Sequence, residues 1–229
     1  MRLKSKLQVR LRTILAIVLV FSVVLSLFSW HLQFKRRRLD AIQRLEAMGT
    51  YPSDYDDSPD VGMWPWIDKL LPMELNRQVT SLYILGDTDY SRLPVDELVL
   101  FPELNTLIIN GDGFPTRLFR ELPSMPNLEA LSLMGSNVDD TGLCHLLANA
   151  RGIRFLEVKS TSISDASVPC IQRCLELRDV YVSHSHFTPA GVKALATGSA
   201  IESVHALGID GMEFEMRNTE ALNSVVIWK

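Results

Sequence analysis

"LEALSLMGSNVDDTGLCHLL", residues 128–147, mixes two periodicities. Leu131 and Leu133 flank Ser132, the alternation of a strand with one buried face. Leu143, Leu146 and Leu147 fall three and one apart, which suits one side of a helix. Between them lie a small polar residue, Ser136, and an apolar one, Val138. Twenty residues therefore read as strand, turn and returning helix.

The pattern recurs. Its starter positions are Leu104, Leu128, Ile153, Leu177 and Ile201, spaced by 24 or 25, with Val79 opening a weaker copy 25 residues upstream. Three residues after each starter stand Leu82, Leu107, Leu131, Leu156, Val180 and Val204. Two further on stand Ile84, Ile109, Leu133, Val158, Val182 and Ala206. Such a unit cannot bury its apolar edge alone, and stacking copies makes a continuous core. Self-similarity at this period points to a solenoid of repeated β-α units.

The turns share a pattern as well. Asp112, Ser136, Thr161 and Ser185 occupy one position, where a hydroxyl can bond turn backbone that would otherwise go unsatisfied. Apolar anchors follow at Phe114, Val138, Ile163 and Phe187. Asp139, Ser164 and Thr188 are suitable helix N-caps, and Pro189 suits a first helical turn. Leu143, Val168 and Val192, then Leu146, Ile171 and Leu195, are expected to face inward. The ends are less regular. "GDTDYSRLPVDELVL" at 86–100 lacks the helix-start signature, and Leu222, Val225 and Ile227 repeat the strand triplet after an irregular stretch. Seven strands about 4.8 Å apart would make a sheet about 29 Å across, with an open terminal edge near Trp228.

The front of the chain differs. Residues 1–12 form a basic tail, and residues 13–34, "TILAIVLVFSVVLSLFSWHLQF", contain no Asp, Glu, Lys or Arg. As a helix they reach about 33 Å, close to the ~30 Å hydrocarbon layer. Trp30 and His31 sit at the end suited to the membrane interface. The bulky, basic "SLFSWHLQFKRRR" offers no small-residue cleavage site, so an uncleaved transmembrane anchor is expected rather than a secretory signal. Basic residues on both sides give only a slight preference for a cytoplasmic N-terminus, with the body on the extracytoplasmic side.

Residues 35–61 read as a short amphipathic juxtamembrane helix (Leu39, Ile42, Leu45 and Met48, stopped at Gly49), then an acidic solvated linker. Its aspartates lack the alternation, glycine and final glutamate of a calcium loop. Residues 62–78 read as a cap for the repeats at 79–229, with Pro65 starting and Pro72 ending a short helix.

Charge is unevenly distributed. Residues 1–38 hold nine Lys/Arg and no acid, so the remainder has 14 basic and 27 acidic residues, a net of −13. That body is poorly suited to nucleic acid, whose phosphates need cations. The three cysteines, Cys144, Cys170 and Cys174, give no disulfide framework and read as small core residues rather than metal ligands.

"LEALSLMGSNVDDTGL" and "IRFLEVKSTSISDASV" resemble leucine-rich repeats whose consensus runs Leu-x-x-Leu-x-Leu-x-x-Thr-x-Val-Thr-Asp-Ala-Gly-Leu, the ribonuclease-inhibitor-like and cysteine-containing branch. "LRDVYVSHSHFTPAGV" keeps the Ala-Gly but carries Pro189 in place of Asp. With "KRRRLDAIQRLEAMGTY" and "WIDKLLPMELNRQVTSLYI", the chain is similar to bacterial membrane-anchored leucine-rich repeat proteins. The resemblance implies an α/β fold: a right-handed β-α superhelix with a parallel sheet on its concave face, behind one transmembrane helix. It is specific for fold and unspecific for function, since such proteins bind many targets.

On a parallel sheet the side chains not needed for the core form columns. The middle one is Tyr83, Ile108, Ser132, Glu157, Tyr181 and His205, flanked by columns that include Phe155 on one side and Met134 and Lys159 on the other. Exposed aromatics on a rigid scaffold can anchor a protein partner. The expected binding residues are Tyr83, Ile108, Met134, Phe155, Glu157, Lys159, Tyr181 and His205. No catalytic, cofactor or metal site is expected. His184, His186 and His205 lack a third ligand or an evident carboxylate partner and read as solvated. "NGDGF" at 110–114 lacks the Lys-Ser/Thr of a phosphate loop. The expectation is a non-catalytic, membrane-tethered module for protein–protein interaction. The alternatives are a scaffold or homo-oligomer assembling through the C-terminal edge, and a substrate adaptor of an enzyme complex.

Overall fold

A computed structural model describes residues 2–53, 73–86, 88–91, 93–197 and 200–209. The fold is α/β. Seven strands lie in one sheet in sequence order: β1 (Thr50–Ser53), β2 (Ser81–Ile84), β3 (Thr106–Asn110), β4 (Ala130–Met134), β5 (Phe155–Glu157), β6 (Asp179–Tyr181) and β7 (Ser203–His205). β2 to β7 are parallel, and β1 pairs antiparallel with β2. Among the described residues the α-helices are α1 (Arg2–Ala47), α2 (Leu118–Glu121), α3 (Asp140–Asn149), α4 (Val168–Ile171) and α5 (Pro189–Ala196).

The aliphatic ladder sets the register. Leu82 opposes Leu107, then Leu131, Leu156, Val180 and Val204, each on the next parallel strand. All six are buried, as are the starters from Val79 to Ile201 and the inner residues from Ile84 to Ala206. Phe114, Val138, Ile163 and Phe187 close the core beneath the turns, and Leu143, Leu146, Ile171, Val192 and Leu195 cover it from the helical side.

Successive strand entries are tied by a repeated backbone pattern. One carbonyl accepts two amides from the next copy: Thr80 from Asn105 and Thr106, Asn105 from Glu129 and Ala130, and so on to Arg178, which accepts from Glu202 and Ser203. Strand exits repeat too. Ser136 Oγ, Thr161 Oγ1 and Ser185 Oγ each donate to the carbonyl three residues back, at 3.5, 3.2 and 2.5 Å. Asp112 departs from this set and is exposed. Gly111, Gly135, Ser160, His184 and Gly208 all have positive φ, at 126°, 61°, 54°, 51° and 67°. They stand 24 or 25 residues apart, so each turn from β3 to β7 passes through a residue of positive φ after its strand, whereas Gly86 after β2 does not.

The helix starts follow their caps. Asp139 and Thr188 accept the backbone N–H of Gly142 and Gly191, and Ser164 accepts that of Ala166. Carboxylates also bridge neighbouring copies. Asp140 takes the amide and hydroxyl of Ser164 (2.8 and 2.7 Å), and Asp165 takes those of Thr188 (2.8 and 2.5 Å).

Three expectations are corrected. The juxtamembrane segment is not a separate short helix: α1 runs unbroken to Ala47, about 69 Å at 1.5 Å per residue. The expected linker begins as strand β1, in which Thr50 and Pro52 are buried. The sheet therefore has seven strands for an unexpected reason, the extra one at its front edge. The proposed strand at 222–227, the aspartates at 54–60 and most of the cap at 62–78 lie outside the described residues; Met73–Asn76 is a short 3-10 turn.

The cysteines are the third correction. Cys144 on α3 and Cys170 on α4 form a disulfide across 26 residues, and Cys174 is a buried free thiol. Their separation is one repeat period plus about one residue. It places both on adjacent helices at nearly the same height, a signal that counting cysteines overlooks.

α1 is long and apolar enough to cross a membrane, and its apolar stretch is exposed from Ile14 to Leu27. Its C-terminal third is docked instead. Ala41, Ile42 and Leu45 are buried against the body. Arg38 pairs with Glu103 and lies 5.5 Å from the Phe101 ring centroid, while Arg44 makes a two-pronged contact with Glu97 at 2.7 and 3.2 Å.

Candidate functional site

The face of the sheet turned away from the core carries one continuous row of side chains. Register pairs run Tyr51–Tyr83, Tyr83–Ile108, Ile108–Ser132, Ser132–Glu157, Glu157–Tyr181 and Tyr181–His205. Six gaps of about 4.8 Å make a row about 29 Å long. Its backbone is rigid because the other face of each strand is packed in the core.

Tyr83, Ile108, Glu157, Tyr181 and His205 thus meet in a single line. Phe155 stands in the flanking column, and its ring reaches Tyr181 at 5.2 Å between centroids. Tyr181 stacks on His205 at 4.1 Å with the rings 7° from parallel. The three rings form a continuous, half-buried apolar patch across β5, β6 and β7. Offset aromatic contacts of this kind contribute about 0.5–1.5 kcal/mol each beyond their buried area.

The centre of the row is polar. Ser132 Oγ donates to Glu157 Oε2 at 2.7 Å, which orients the carboxylate across two strands. Ser203 Oγ donates to Asp179 in the flanking column. Met134, half-buried at the end of β4, opposes Asn110. Lys159 lies beyond the end of β5 with its side chain exposed, outside the line, and its carbonyl accepts the Gly135 amide at 2.8 Å.

Sequence reasoning missed Tyr51. Its register partner is Tyr83, and it is exposed while its neighbours Thr50 and Pro52 point inward. The alternation in "TYPS" carried the signal, but two prolines and four aspartates in the segment masked it.

The histidines are placed differently. His205 belongs to the ring stack. His184 and His186 are exposed beyond the strand exits, and the His184 ring lies over the Gly208 backbone. Among the described residues no group of three His, Cys, Asp or Glu side chains is arranged to hold a metal ion. The glycines of "NGDGF" have a packing role. A Cβ on Gly113 would lie 2.6 Å from Tyr90 Cε2, and one on Gly111 2.7 Å from the Gly86 Cα. Tyr90 covers this turn, donates its hydroxyl to the Leu85 carbonyl at 2.8 Å and meets Phe114 edge to face.

Burial pushes the Cys174 thiol up to about 11. A thiol so protonated is a poor nucleophile. No protein-family model matches the chain, and no curated protein matches it.

Proposed function

We propose that this is a membrane-tethered leucine-rich repeat protein of the bacterial anchored kind. Its units form a right-handed solenoid that binds a protein partner, without catalysis, on the concave sheet face. The repeat reading is supported by the 24–25-residue register, the recurring left-handed turn residue and the recurring caps. The single observation behind the binding surface is the seven-residue row from Tyr51 to His205, with stacked rings at one end and an oriented carboxylate at its centre. Anchors of this type, aromatic and rigidly held, carry most of the energy in protein interfaces.

The apolar stretch of α1 is the tether. The repeat domain lies on the extracytoplasmic side in this reading, because the Cys144–Cys170 disulfide belongs to an oxidising compartment.

The test is a photo-crosslinker placed at Tyr181, compared with one at Leu175, which is exposed in the turn between α4 and β6. The expected result is one adduct, formed in intact membranes from position 181 and not from 175. It is lost when Glu157→Lys and Lys159→Glu are introduced. Equal labelling from both positions, or an adduct indifferent to the charge reversals, argues against the concave face. Protease accessibility of the body in intact cells settles its side.

A further inference from the structure

The open sheet face is not of even height. On β4 the outward side chains at entry and centre are small, Ala130 and Ser132. Their register partners are larger: Thr106 and Ile108 on β3, Phe155 and Glu157 on β5. Side chains stand roughly perpendicular to a sheet, so the two sets rise two strand spacings apart, about 9.6 Å between backbones. A slot therefore runs along β4, floored by a methyl and a hydroxymethyl group. One planar group in van der Waals contact with both walls needs about 7–8 Å of that separation.

The β5 wall is chemically specific. Tyr181 has ring neighbours on both sides, Phe155 and His205. Phe155 has one on the β6 side only, and towards β4 its register partner is Ala130. Beside it Glu157 accepts the Ser132 hydroxyl at 2.7 Å, a bond that comes from the slot floor and draws the carboxylate over β4. Glu157 has no cationic partner among the described residues. Lys159, two residues on, lies beyond the strand end and makes no ion pair with it. Asp179, in register with Phe155 on its other side, likewise bonds only the Ser203 hydroxyl.

A partner seated on the row must cover Glu157 at its centre. Burying a carboxylate held by one neutral hydroxyl is costly unless the partner brings a positive charge to it. The ring beside it selects the kind of cation. A guanidinium is planar, weakly hydrated and forked, so it stacks on an aromatic face while its N–H groups reach a carboxylate; an ammonium does only the second. Arginine is also among the residues that carry most binding energy at protein interfaces.

We propose, on the reading of this row as the binding surface, that the slot over β4 receives an arginine side chain of the protein partner. Its guanidinium lies against Phe155, its N–H groups bond Glu157 and the Ser132 oxygen, and its methylene stem runs along Ile108.

The probe is N-acetyl-arginine amide, titrated into the full chain in detergent micelles and followed by methyl NMR. Ile108 and Ala130 report on the slot, and Ala166, exposed in the 3-10 turn before α4, is the reference. The expected result is saturable shifts at Ile108 and Ala130 and none at Ala166. N-acetyl-lysine amide should half-saturate at about threefold higher concentration, and the neutral, isosteric citrulline amide should give no saturable shift. Glu157→Gln keeps an acceptor for Ser132 and should raise the arginine half-saturation about tenfold. Phe155→Leu should erase the preference for arginine over lysine. Unchanged methyl signals away from the slot show that each variant is folded. An equal response to citrulline, indifference to Glu157→Gln, or an equal effect of Asp112→Asn, a charge loss at an exposed turn, overturns the arginine assignment. The crosslinking test separates the two failures. An adduct at position 181 without the arginine response leaves the concave face as the binding surface and removes this assignment alone. Absence of that adduct removes the binding surface, and this assignment with it.

Discussion

Tyr181 and His205 lie ring on ring, 4.1 Å between centroids and 7° from parallel, on neighbouring strands of the open sheet face. Phe155 closes on Tyr181 from the other side at 5.2 Å. Tyr181→Ala removes both contacts without opening the core. The expected cost is about 1–2 kcal/mol of stability from the lost ring contacts, and about 2 kcal/mol of partner affinity if the row is the binding centre. Tyr181→Phe keeps the stack and both properties. Thermal melting and titration with the crosslinked partner separate the two effects. Full affinity in the alanine variant would remove this row from the interface.

The disulfide between Cys144 and Cys170 closes a 26-residue loop that joins the helices of two adjacent copies. In the chain-entropy account such a loop contributes about 3.5 kcal/mol at room temperature. A reductant should lower the melting temperature of the native chain. The Cys144→Ser, Cys170→Ser double variant should melt at that lower temperature with or without it. Identical melting of the native chain in both conditions would mean the bridge is not made.

The recurring left-handed turn residue gives a graded series. At Ser160 and His184 a side chain occupies a conformation that glycine adopts without strain. Ser160→Gly is expected to stabilise by about 0.5 kcal/mol, the relief of strain less the added freedom of the unfolded chain. Gly135→Ala is the converse. A Cβ there meets nothing within 4 Å, so its net loss of about 0.5 kcal/mol, strain less the reduced freedom of the unfolded chain, is purely backbone. Gly111→Ala should lose more, because its Cβ would also stand 2.7 Å from the Gly86 Cα. Denaturant midpoints order the three. A destabilised Ser160→Gly would contradict the turn geometry.

Much of this architecture was legible because it is repetitive. The triplet from Leu82 to Val204 predicted strand position, register and the buried face together. A two-residue alternation leaves only one register in which every copy buries its leucines. The caps at Asp139, Ser164 and Thr188 were legible because each stands just before a helical run. What escaped was non-periodic or lay between copies. β1 is a single strand outside the repeat, and its composition resembles a linker. The Cys144–Cys170 bridge and the Asp140–Ser164 and Asp165–Thr188 contacts join consecutive units, so no reading of one unit displays them. At the candidate surface the columns followed from the register, whereas Tyr51 depended on the unforeseen strand.

Burial of the Cys174 thiol makes its ionisation unfavourable in the fold and pushes its pKa up to about 11. The sign follows from linkage. The folded state holds the proton more tightly than the unfolded one, so this contribution is complete below the ordinary thiol value of 9.0 and is lost as pH rises towards 11. Cys174→Ala should flatten that alkaline limb of the stability curve. Under native conditions near pH 8 the thiol should resist alkylation, and mass spectrometry after unfolding should find it free. Rapid native alkylation would show that the thiol is accessible.

Asp165 and Gly191 test the link between copies. The Asp165 carboxylate accepts the Thr188 amide at 2.8 Å and its hydroxyl at 2.5 Å, and that hydroxyl oxygen in turn accepts the Gly191 amide at 3.2 Å. One unit's carboxylate therefore fixes the cap of the next unit's helix. The space it needs exists because residue 191 has no side chain: a Cβ there would overlap the carboxylate. Asp165→Ala should cost about 1–2 kcal/mol, the range for charge-assisted hydrogen bonds reduced for partial solvent exposure. It should also speed amide exchange in the first turn of α5. Gly191→Ala alone should destabilise through the overlap, but in the Asp165→Ala background that overlap is gone. The double variant should then be more stable than the sum of the single losses, a coupling that urea unfolding of the four proteins measures. Strict additivity would mean that Asp165 does not seat against this helix.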